Sequence, residues 1–280
     1  MNAIKLYSQL EKEFILPALS DEWAEDMQEV SEYIYENFKK RSMGLVCDFT
    51  KEINKVYTAV FPTKEIMNEI LRRNEENIML FVHHPMIWDI RKKQVFQNMD
   101  KKLLEKFKEK KISIYNLHVP LDNFGKYSTS VSLANVLSIQ TEKPFAPYYG
   151  SLCGIFGKTK YKIEELKEKL EQAINHKAKL YKYGEEIKAG RVAVVAGGGN
   201  DIETLKEIAK EKVNVVVTGV SAKNDYSKQA HDFAEQNKIN ILGATHYSTE
   251  KFACIAMCDY FKNLGFPSEF ILGKPAMEDM

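Results

Sequence analysis

The sequence has 280 residues, which is enough for one large domain or two of ordinary size. Hydrophobic residues make up 44% and charged residues 28%, as in an ordinary globular protein. The 40 basic and 39 acidic residues leave a formal charge of +1, which argues against a nucleic-acid-binding function.

The sequence also gives an expectation about the cellular compartment. Its longest apolar runs, such as NVVVTGV, are too short to cross a bilayer. The first residues lack the apolar core of a signal peptide, and four scattered cysteines fit a reducing environment. We therefore expect a cytoplasmic protein that does not associate with membranes.

Strand and helix patterns alternate from residue 43 onward, whereas the first forty residues show helical patterns alone. The predicted strands are 43–49, 55–61, 77–83, 111–118, 151–158, 191–196, 213–219 and 239–244. Between them, apolar residues at helical spacing predict helices, as in 62–74 and 161–174. This alternation predicts an α/β fold with mostly parallel strands.

The segment TEKPFAPYYG, residues 141–150, is the most turn-rich part of the chain. It contains Pro144, Pro147 and Gly150 and has no clear helical or strand periodicity. Such a segment is where a boundary between two domains is expected.

Two adjacent histidines, His83 and His84, stand at the end of an apolar run in FVHHPMIWDI. Neighbouring side chains on a strand point to opposite faces, so two imidazoles can act together only where the strand breaks. Pro85, directly after them, is the residue expected to make that break.

A second polar group follows the apolar strand KISIYNLH, in which His118 is the last residue and Asp122 lies four positions later. Polar groups at the carboxyl end of a parallel strand lie where α/β folds bind ligands. Each residue also has a structural interpretation, because strand ends accommodate histidine and turns favour aspartate.

The third polar group lies in GATHYSTEKF, where a short apolar strand leads into His246. Ser248 or Thr249 is the predicted N-cap of the following helix, which places Glu250 in its first turn, close to His246. A glutamate in that position can also serve the helix dipole, but this interpretation gives the histidine no role.

Together these stretches supply a set of imidazole and carboxylate groups at strand ends: His83, His84, Asp122, His246 and Glu250, with His118 as a sixth. Such groups suit zinc, iron, manganese or nickel. They exceed what one four-coordinate zinc ion requires, and a paired-metal site would use them all.

The turn AGGGN, residues 196–200, follows a predicted strand and precedes a predicted helix. Helix-terminal amides after such a turn can bind a phosphate. The stretch is not a full dinucleotide-binding or Walker pattern, however, and a tight turn between strand and helix is the favoured interpretation.

The motifs HHP, LHVPLD and THYSTE, in this order, resemble those of the Nif-three-like family of dinuclear-metal-centre proteins. Many members of that family carry the label GTP cyclohydrolase 1 type 2 homologue. The resemblance covers nearly the whole chain and includes the stretches FILPALSDEW, VAVVAGGGND and VVVTG.

The resemblance implies a fold, an assembly and a set of metal ligands. It implies two α/β domains with mixed or mostly parallel sheets. One is a discontinuous metal-binding domain of 1–145 plus 238–280, and the other is an inserted domain of 146–237. It also implies that the protein is a homo-oligomer, a hexameric ring. It implies that two divalent transition-metal ions are bound by the residues His83, His84, Asp122, His246 and Glu250. Glu250 is then the carboxylate that bridges the ions, and His118 is a further ligand or a residue behind the ligands that moves a proton or orients a ligand.

We therefore expect a metal-dependent hydrolase of the cyclohydrolase or amidohydrolase kind, acting on a nucleotide or another heterocyclic substrate. The alternative is a non-catalytic ring protein that binds metal for regulation or metal handling. A ring that binds nucleic acid is a third possibility, and the neutral net charge argues against it.

Overall fold

The computed structural model describes residues 2–280, and Met1 lies outside the described residues. Its strands are β1 (Gly44–Cys47), β2 (Lys55–Ala59), β3 (Ile78–Val82), β4 (Ile87–Trp88), β5 (Phe96–Gln97), β6 (Ile112–Asn116), β7 (Gln140–Tyr148), β8 (Ser151–Lys158), β9 (Lys179–Tyr181), β10 (Arg191–Val195), β11 (Val215–Thr218), β12 (Asn240–Gly243) and β13 (Ser268–Phe270).

The helices are α1 (Ala3–Phe14), α2 (Trp23–Asp26), α3 (Glu36–Arg41), α4 (Lys64–Arg72), α5 (Lys101–Glu109), α6 (Val119–Asp122), α7 (Thr129–Val136), α8 (Ile163–Ile174), α9 (Ile202–Lys210), α10 (Lys228–Gln236) and α11 (His246–Asn263). Short 3₁₀ turns cover Gln28–Tyr33, Lys188–Gly190 and Met277–Asp279.

The chain packs as two compact units. The first unit contains the described residues through Leu121, together with Tyr149–Ser151 and Cys254–Lys274. The second contains Asp122–Tyr148, Leu152–Ala253 and Pro275–Met280. The domain boundaries that the family resemblance implies, 1–145 with 238–280 and 146–237, stay a prediction.

The first unit is built on a five-stranded sheet with the order β1-β6-β3-β2-β13. The strands β6, β3, β2 and β13 run parallel, and β1 is antiparallel to β6. The register pairs Ala59 with Val82 and Val82 with Asn116. The segments that follow β2, β3 and β6 therefore leave the sheet at the same edge.

Apolar burial holds this sheet against its helices. Tyr57 and Leu80 from the strands share one buried cluster with Leu104 and Phe107 of α5. The helix α4 begins after Thr63, whose hydroxyl accepts a hydrogen bond from the N–H of Ile66 at 3.3 Å, as an N-cap should.

The second unit is built on a six-stranded sheet with the order β7-β8-β10-β11-β12-β9. The strands β10, β11 and β12 are parallel, whereas β8 and β9 pair antiparallel to their neighbours. The turns after β10, β11 and β12 consequently share one edge, where α/β sheets commonly bind ligands.

The predicted α/β fold class with mixed or mostly parallel sheets is confirmed, and every predicted strand corresponds to an observed one. The segment 141–150 differs from expectation, because most of it belongs to β7. Its two prolines are compatible with this strand because β7 lies at the edge of its sheet, where not every N–H needs a partner.

Among residues 2–280, no helix combines the length and the apolar character needed to cross a lipid bilayer.

Candidate metal centre

His83 and His84 follow directly on β3 and are buried, with exposed fractions of 0% and 1%. Their backbone N–H groups donate to the carbonyls of Ala59 and Val60 at 3.2 and 2.9 Å. The two rings lie 4.4 Å apart between centroids and are inclined by 69°. The strand end therefore brings the two imidazoles close together instead of sending them to opposite faces.

A hydrogen bond fixes which nitrogen of His83 carries the proton. Its Nδ1 lies 2.9 Å from the carbonyl oxygen of Leu117, and a carbonyl can only accept. Nδ1 is therefore the protonated nitrogen, and Nε2 is the atom that can bind a metal ion. This arrangement, with a backbone oxygen behind the imidazole, is common among metal-binding histidines.

Aromatic rings orient His84. The ring of Phe61 stacks on it at 4.7 Å between centroids, with an interplanar angle of 18°. Trp23 approaches edge-on at 5.6 Å, and Phe96 lies at 5.9 Å. These apolar contacts restrict the rotation of the imidazole.

His118 joins the two histidines and is held from behind by two residues of the N-terminal segment. Its Nδ1 lies 2.9 Å from Oδ2 of Asp21 and 3.1 Å from Nε1 of Trp23. One nitrogen cannot donate to the carboxylate and accept from the indole at once. We assign the proton to Nδ1, because a carboxylate is the stronger partner and only accepts; Nε2 is then the acceptor.

The three imidazoles form a buried group within the first unit. Each of His83, His84 and His118 offers a ring nitrogen within 4.8 Å of the others. Three nitrogen donors at this spacing suit a transition-metal ion. Asp21 and Trp23, which the sequence analysis did not assign, belong to this site; their signal was the stretch SDEW.

In the second unit, His246 is the first residue of α11 and Glu250 lies one turn later; both are buried, with exposed fractions of 6% and 3%. The Nε2 of His246 lies 3.0 Å from Oε1 of Glu250. Residues four apart on a helix share a face, which explains the contact.

The predicted start of this helix is wrong. The sequence suggested Ser248 or Thr249 as the N-cap, whereas the helix begins at His246, directly after Thr245. The hydroxyl of Thr245 accepts a hydrogen bond from the N–H of Ser248 at 3.1 Å. The earlier start puts His246 on the helix itself, one turn before Glu250, so the prediction that Glu250 lies in the first turn is also wrong.

Asp122 is the last residue of α6 and is 8% exposed. Its Oδ1 accepts a hydrogen bond from the hydroxyl of Thr129 at 2.7 Å. Asp122 lies one helical turn after His118, since the N–H of Leu121 donates to the carbonyl of His118 at 2.9 Å. Asp122 and Glu250 are both buried, and carboxylates of this kind can bind divalent cations.

The AGGGN turn lies against the α11 side chains. Gly197 has a φ of 73°, and a Cβ at this position would stand 2.3 Å from Oε1 of Glu250. Its N–H donates to the hydroxyl of Thr249 at 3.0 Å. The turn is a tight connection between β10 and α9, and the missing side chain is what lets it approach Glu250 so closely.

Lys251, next to Glu250 in the sequence, makes its contact with a different element. It is 8% exposed, and its Nζ donates to the carbonyl of Ile174 at the end of α8 at 3.2 Å. Burial lowers the pKa of this lysine. The hydrogen bond ties α11 to α8.

The fold and these side chains define an α/β protein with buried histidine and carboxylate groups that could hold a metal ion. The sequence profile of the Duf34/NIF3 (NGG1p interacting factor 3) family matches residues 25–272. The chain belongs to this family, and the resemblance inferred from its motifs is confirmed.

Individual relatives agree with that assignment. A Borreliella burgdorferi protein named GTP cyclohydrolase 1 type 2 homolog is 30% identical over 230 residues, which cover 81% of this chain and 86% of that protein. The solved structure of protein ybgI, described as of unknown function, has a TM-score of 0.76 at 20% identity and covers 99% of this chain and 100% of its own. The structure of reduced HcgD from Methanocaldococcus jannaschii has a TM-score of 0.68 at 24% identity. The match covers 96% of this chain and 97% of that chain. At these identities the two structures support the fold alone.

Proposed function

We propose that this protein binds two divalent transition-metal ions and uses them as a hydrolase of the cyclohydrolase or amidohydrolase kind. The proposed metal ligands are His83, His84, Asp122, His246 and Glu250. The observation that carries the proposal is the buried group of His83, His84 and His118, whose ring nitrogens lie within 4.8 Å of one another. Within this group, His83 and His84 are proposed ligands, and His118 is a further ligand or the group that moves a proton.

Two short segments carry the other proposed ligands. Asp122 follows His118 within one turn of chain. The helix α11 is continuous from His246 to Asn263. At Cys254 this helix contacts β2: the backbone carbonyl accepts from the Thr58 hydroxyl at 2.8 Å, and the thiol donates to the Ala59 carbonyl at 3.3 Å.

Glu250 completes the proposed ligand set. Within the first unit, Ala59 pairs with Val82, the residue directly before His83. Glu250 lies one helical turn before Cys254, and we propose that its carboxylate would be a ligand shared by the ions. His83 and His84 would each contribute an imidazole, and such a set of ligands suits zinc, iron, manganese or nickel.

Bound ions of this kind lower the pKa of a coordinated water and polarise a substrate carbonyl. The protein contributes the rest of the chemistry. Asp21 holds the Nδ1 proton of His118, so that Nε2 can accept or return a proton near the reacting group. Phe61 and Trp23 keep the surroundings of His84 apolar, which strengthens electrostatic interactions there.

A nucleotide or a related heterocycle is the proposed substrate class. Its support is the name of relatives such as the Borreliella burgdorferi protein, which refers to a GTP cyclohydrolase. The homo-oligomer, with six chains in a ring, is likewise a proposal from the family resemblance. Light scattering of the purified protein would measure the number of chains.

One observation favours a second candidate function, a protein that binds or hands over metal without turnover. The proposed ligands have exposed fractions between 0% and 8%, which leaves little room for a large substrate to reach them. A metal-handling protein needs access for an ion alone.

Metal analysis tests the central claim. The purified protein should hold about two transition-metal ions per chain, and His83→Ala combined with Glu250→Ala should abolish the binding. His231→Gln is the matched control, because His231 is also fully buried but bonds to Tyr183 and to the backbone of Ser221. Metal content unchanged in the double variant would contradict the proposal.

Turnover is a separate measurement. The metal-loaded protein would be incubated with nucleotides, cyclic amides and phosphoesters, and product formation followed by chromatography. Activity that disappears in His84→Ala supports the hydrolase. Uniform absence of product, with metal bound, supports the metal-handling protein instead.

A further inference from the structure

The final segment of the chain, Pro275–Met280, packs within the second unit against the start of α11. Asp279 is fully buried, with an exposed fraction of 0%. Its Oδ2 accepts a hydrogen bond from the backbone N–H of His246 at 2.9 Å. A carboxylate from the last turn of the chain thus binds the backbone of a proposed metal ligand.

The backbone of Asp279 is anchored as well. Its carbonyl oxygen accepts hydrogen bonds from the N–H groups of Ser221 and Ala222 at 2.7 and 2.8 Å. Those residues follow β11, whereas His246 follows β12, and the two strands are adjacent and parallel. Asp279 therefore joins the segments that leave two neighbouring strands.

Helix geometry explains why this contact matters for α11. The first N–H groups of a helix have no partner within the helix. Thr245 satisfies the N–H of Ser248, and Asp279 satisfies that of His246. A negative charge at this position also interacts favourably with the positive end of the helix dipole.

The contact bears on the metal ligands through His246. The imidazole that lies 3.0 Å from Glu250 belongs to the same residue whose N–H Asp279 binds. Fixing the backbone of that residue limits where its ring can be placed. Metal sites depend on such supporting hydrogen bonds, whose loss commonly lowers metal affinity by about 10–100-fold.

We propose that Asp279 is a positioning residue for the metal site. Its carboxylate caps the N-terminus of α11 from a distant segment of the same chain, Pro275–Met280, and thereby holds His246 in the orientation that binds metal. This inference rests on the proposed metal-binding function. The family profile ends at residue 272, so Asp279 lies outside the part of the chain that it matches.

The test compares metal affinity and site geometry in three variants. Asp279→Ala removes the accepting oxygen, whereas Asp279→Asn keeps one, and asparagine caps helices about as well as aspartate. Asn240→Ala is the matched control, because Asn240 is also fully buried and accepts a backbone N–H, that of Gly184, at 2.8 Å. Each protein would be titrated with Co²⁺ against a competing chelator, and its visible absorption spectrum recorded.

We expect Asp279→Ala to lose about 10–100-fold in Co²⁺ affinity and to show an altered ligand-field spectrum. Asp279→Asn should resemble the wild type in both, and Asn240→Ala should lose folding stability without a spectral change. If Asp279→Ala does not fold, Asp279→Glu serves instead, because it retains the carboxylate but displaces it by one methylene, and it should alter the spectrum.

The outcomes separate the two proposals. A wild-type protein that binds no Co²⁺ overturns the proposed function, and this inference with it. If the wild type binds Co²⁺ but Asp279→Ala leaves both affinity and spectrum unchanged, the positioning role alone is overturned. An unchanged spectrum in Asp279→Glu has the same consequence. An equal loss of affinity in Asn240→Ala also overturns it, since the effect would then be one of general stability.

Discussion

The backbone at Gly197 approaches Glu250 so closely that a Cβ on the glycine would stand 2.3 Å from the Oε1 atom of the glutamate and 3.3 Å from Nε2 of His246. The strand-to-helix turn and the proposed metal ligands therefore share one packed environment in the second unit. A side chain at residue 197 must displace one of these groups.

The first prediction concerns this contact. Gly197→Ala should lower metal affinity by at least about tenfold, because it displaces ligand side chains. It should also destabilise the fold by roughly 1–2 kcal/mol, because φ is 73° at this residue and a Cβ is strained there. Metal titration and thermal unfolding measure the two effects.

Gly198 provides the control for that substitution. A Cβ at Gly198 meets nothing within 4 Å, and the residue is exposed. Gly198→Ala should therefore leave metal affinity unchanged. Equal metal loss in both variants would show that the turn acts by its flexibility and not by its close approach to Glu250.

A second prediction concerns the contact between Asp21 and His118. Asp21→Asn replaces a carboxylate, which only accepts hydrogen bonds, by an amide whose NH₂ group can donate to Nδ1 of His118. Nδ1 can then act as the acceptor, and the proton of the neutral imidazole can reside on Nε2. We expect the tautomer of His118 to change. We also expect metal affinity, or turnover where metal still binds, to fall by about 10–100-fold. Nitrogen NMR of the histidine side chains reports the tautomer directly.

Trp23→Phe is the matched change on the other partner of His118. It removes the indole N–H at 3.1 Å but keeps an aromatic ring beside His84. Since we assign the Nδ1 proton to the contact with Asp21, the tautomer should be retained in Trp23→Phe. A tautomer change in this variant, with none in Asp21→Asn, would reverse that assignment.

The polar residues of the candidate site could be located from the sequence because metal-capable side chains at the ends of apolar strands break an otherwise regular pattern. His83, His84 and His118 were found in this way, and the structure places all three within one buried group. The fold class could be predicted for the same reason, since apolar strands and amphipathic helices alternate along the chain.

The supporting residues could not be predicted, because their role depends on contacts between distant parts of the chain. Asp21 and His118 are 97 positions apart, and Asp279 is 33 positions from His246. The N-cap of α11 was misassigned because Thr245, Ser248 and Thr249 all have capping hydroxyls, and local sequence cannot choose among them.

A third prediction uses the pH dependence of stability. Burial lowers the pKa of His231 below its ordinary value of 6.5. Its neutral form is well bonded, because the Tyr183 hydroxyl lies 2.9 Å from Nδ1 and the Ser221 carbonyl lies 3.1 Å from Nε2. Because the pKa of His231 is lower in the folded state, the unfolded state binds the proton more readily. The contribution of neutral His231 to the free energy of unfolding is therefore complete above pH 6.5 and is lost as the pH falls.

The free energy of unfolding of the apo-protein should therefore decline as the pH is lowered from neutrality through this range. The contribution of His231 to the slope is at most about 1.4 kcal/mol per pH unit. His231→Gln should have a shallower slope than the wild type, measured by urea unfolding at a series of pH values in the presence of a chelator. Identical slopes would mean that His231 does not titrate differently in the two states.

The fourth prediction concerns metal removal. An ion that binds the folded state alone stabilises it by an amount that grows with free ion concentration, about 2.7 kcal/mol at one hundred times the dissociation constant. For a chain of this size, 1 kcal/mol corresponds to roughly 2–4 °C in the melting temperature. Dialysis against a chelator should thus lower the melting temperature by several degrees, and readdition of the ion should restore it.

The variants with altered ligands assign that stabilisation to the proposed site. In His83→Ala combined with Glu250→Ala, the melting temperature should no longer respond to added ion, because the imidazole and the carboxylate that bind it are gone. In His231→Gln the response should persist, although the melting temperature itself is lower. Scanning calorimetry with and without the ion separates the two quantities, and a double variant that is still stabilised by the ion would place the binding at other residues.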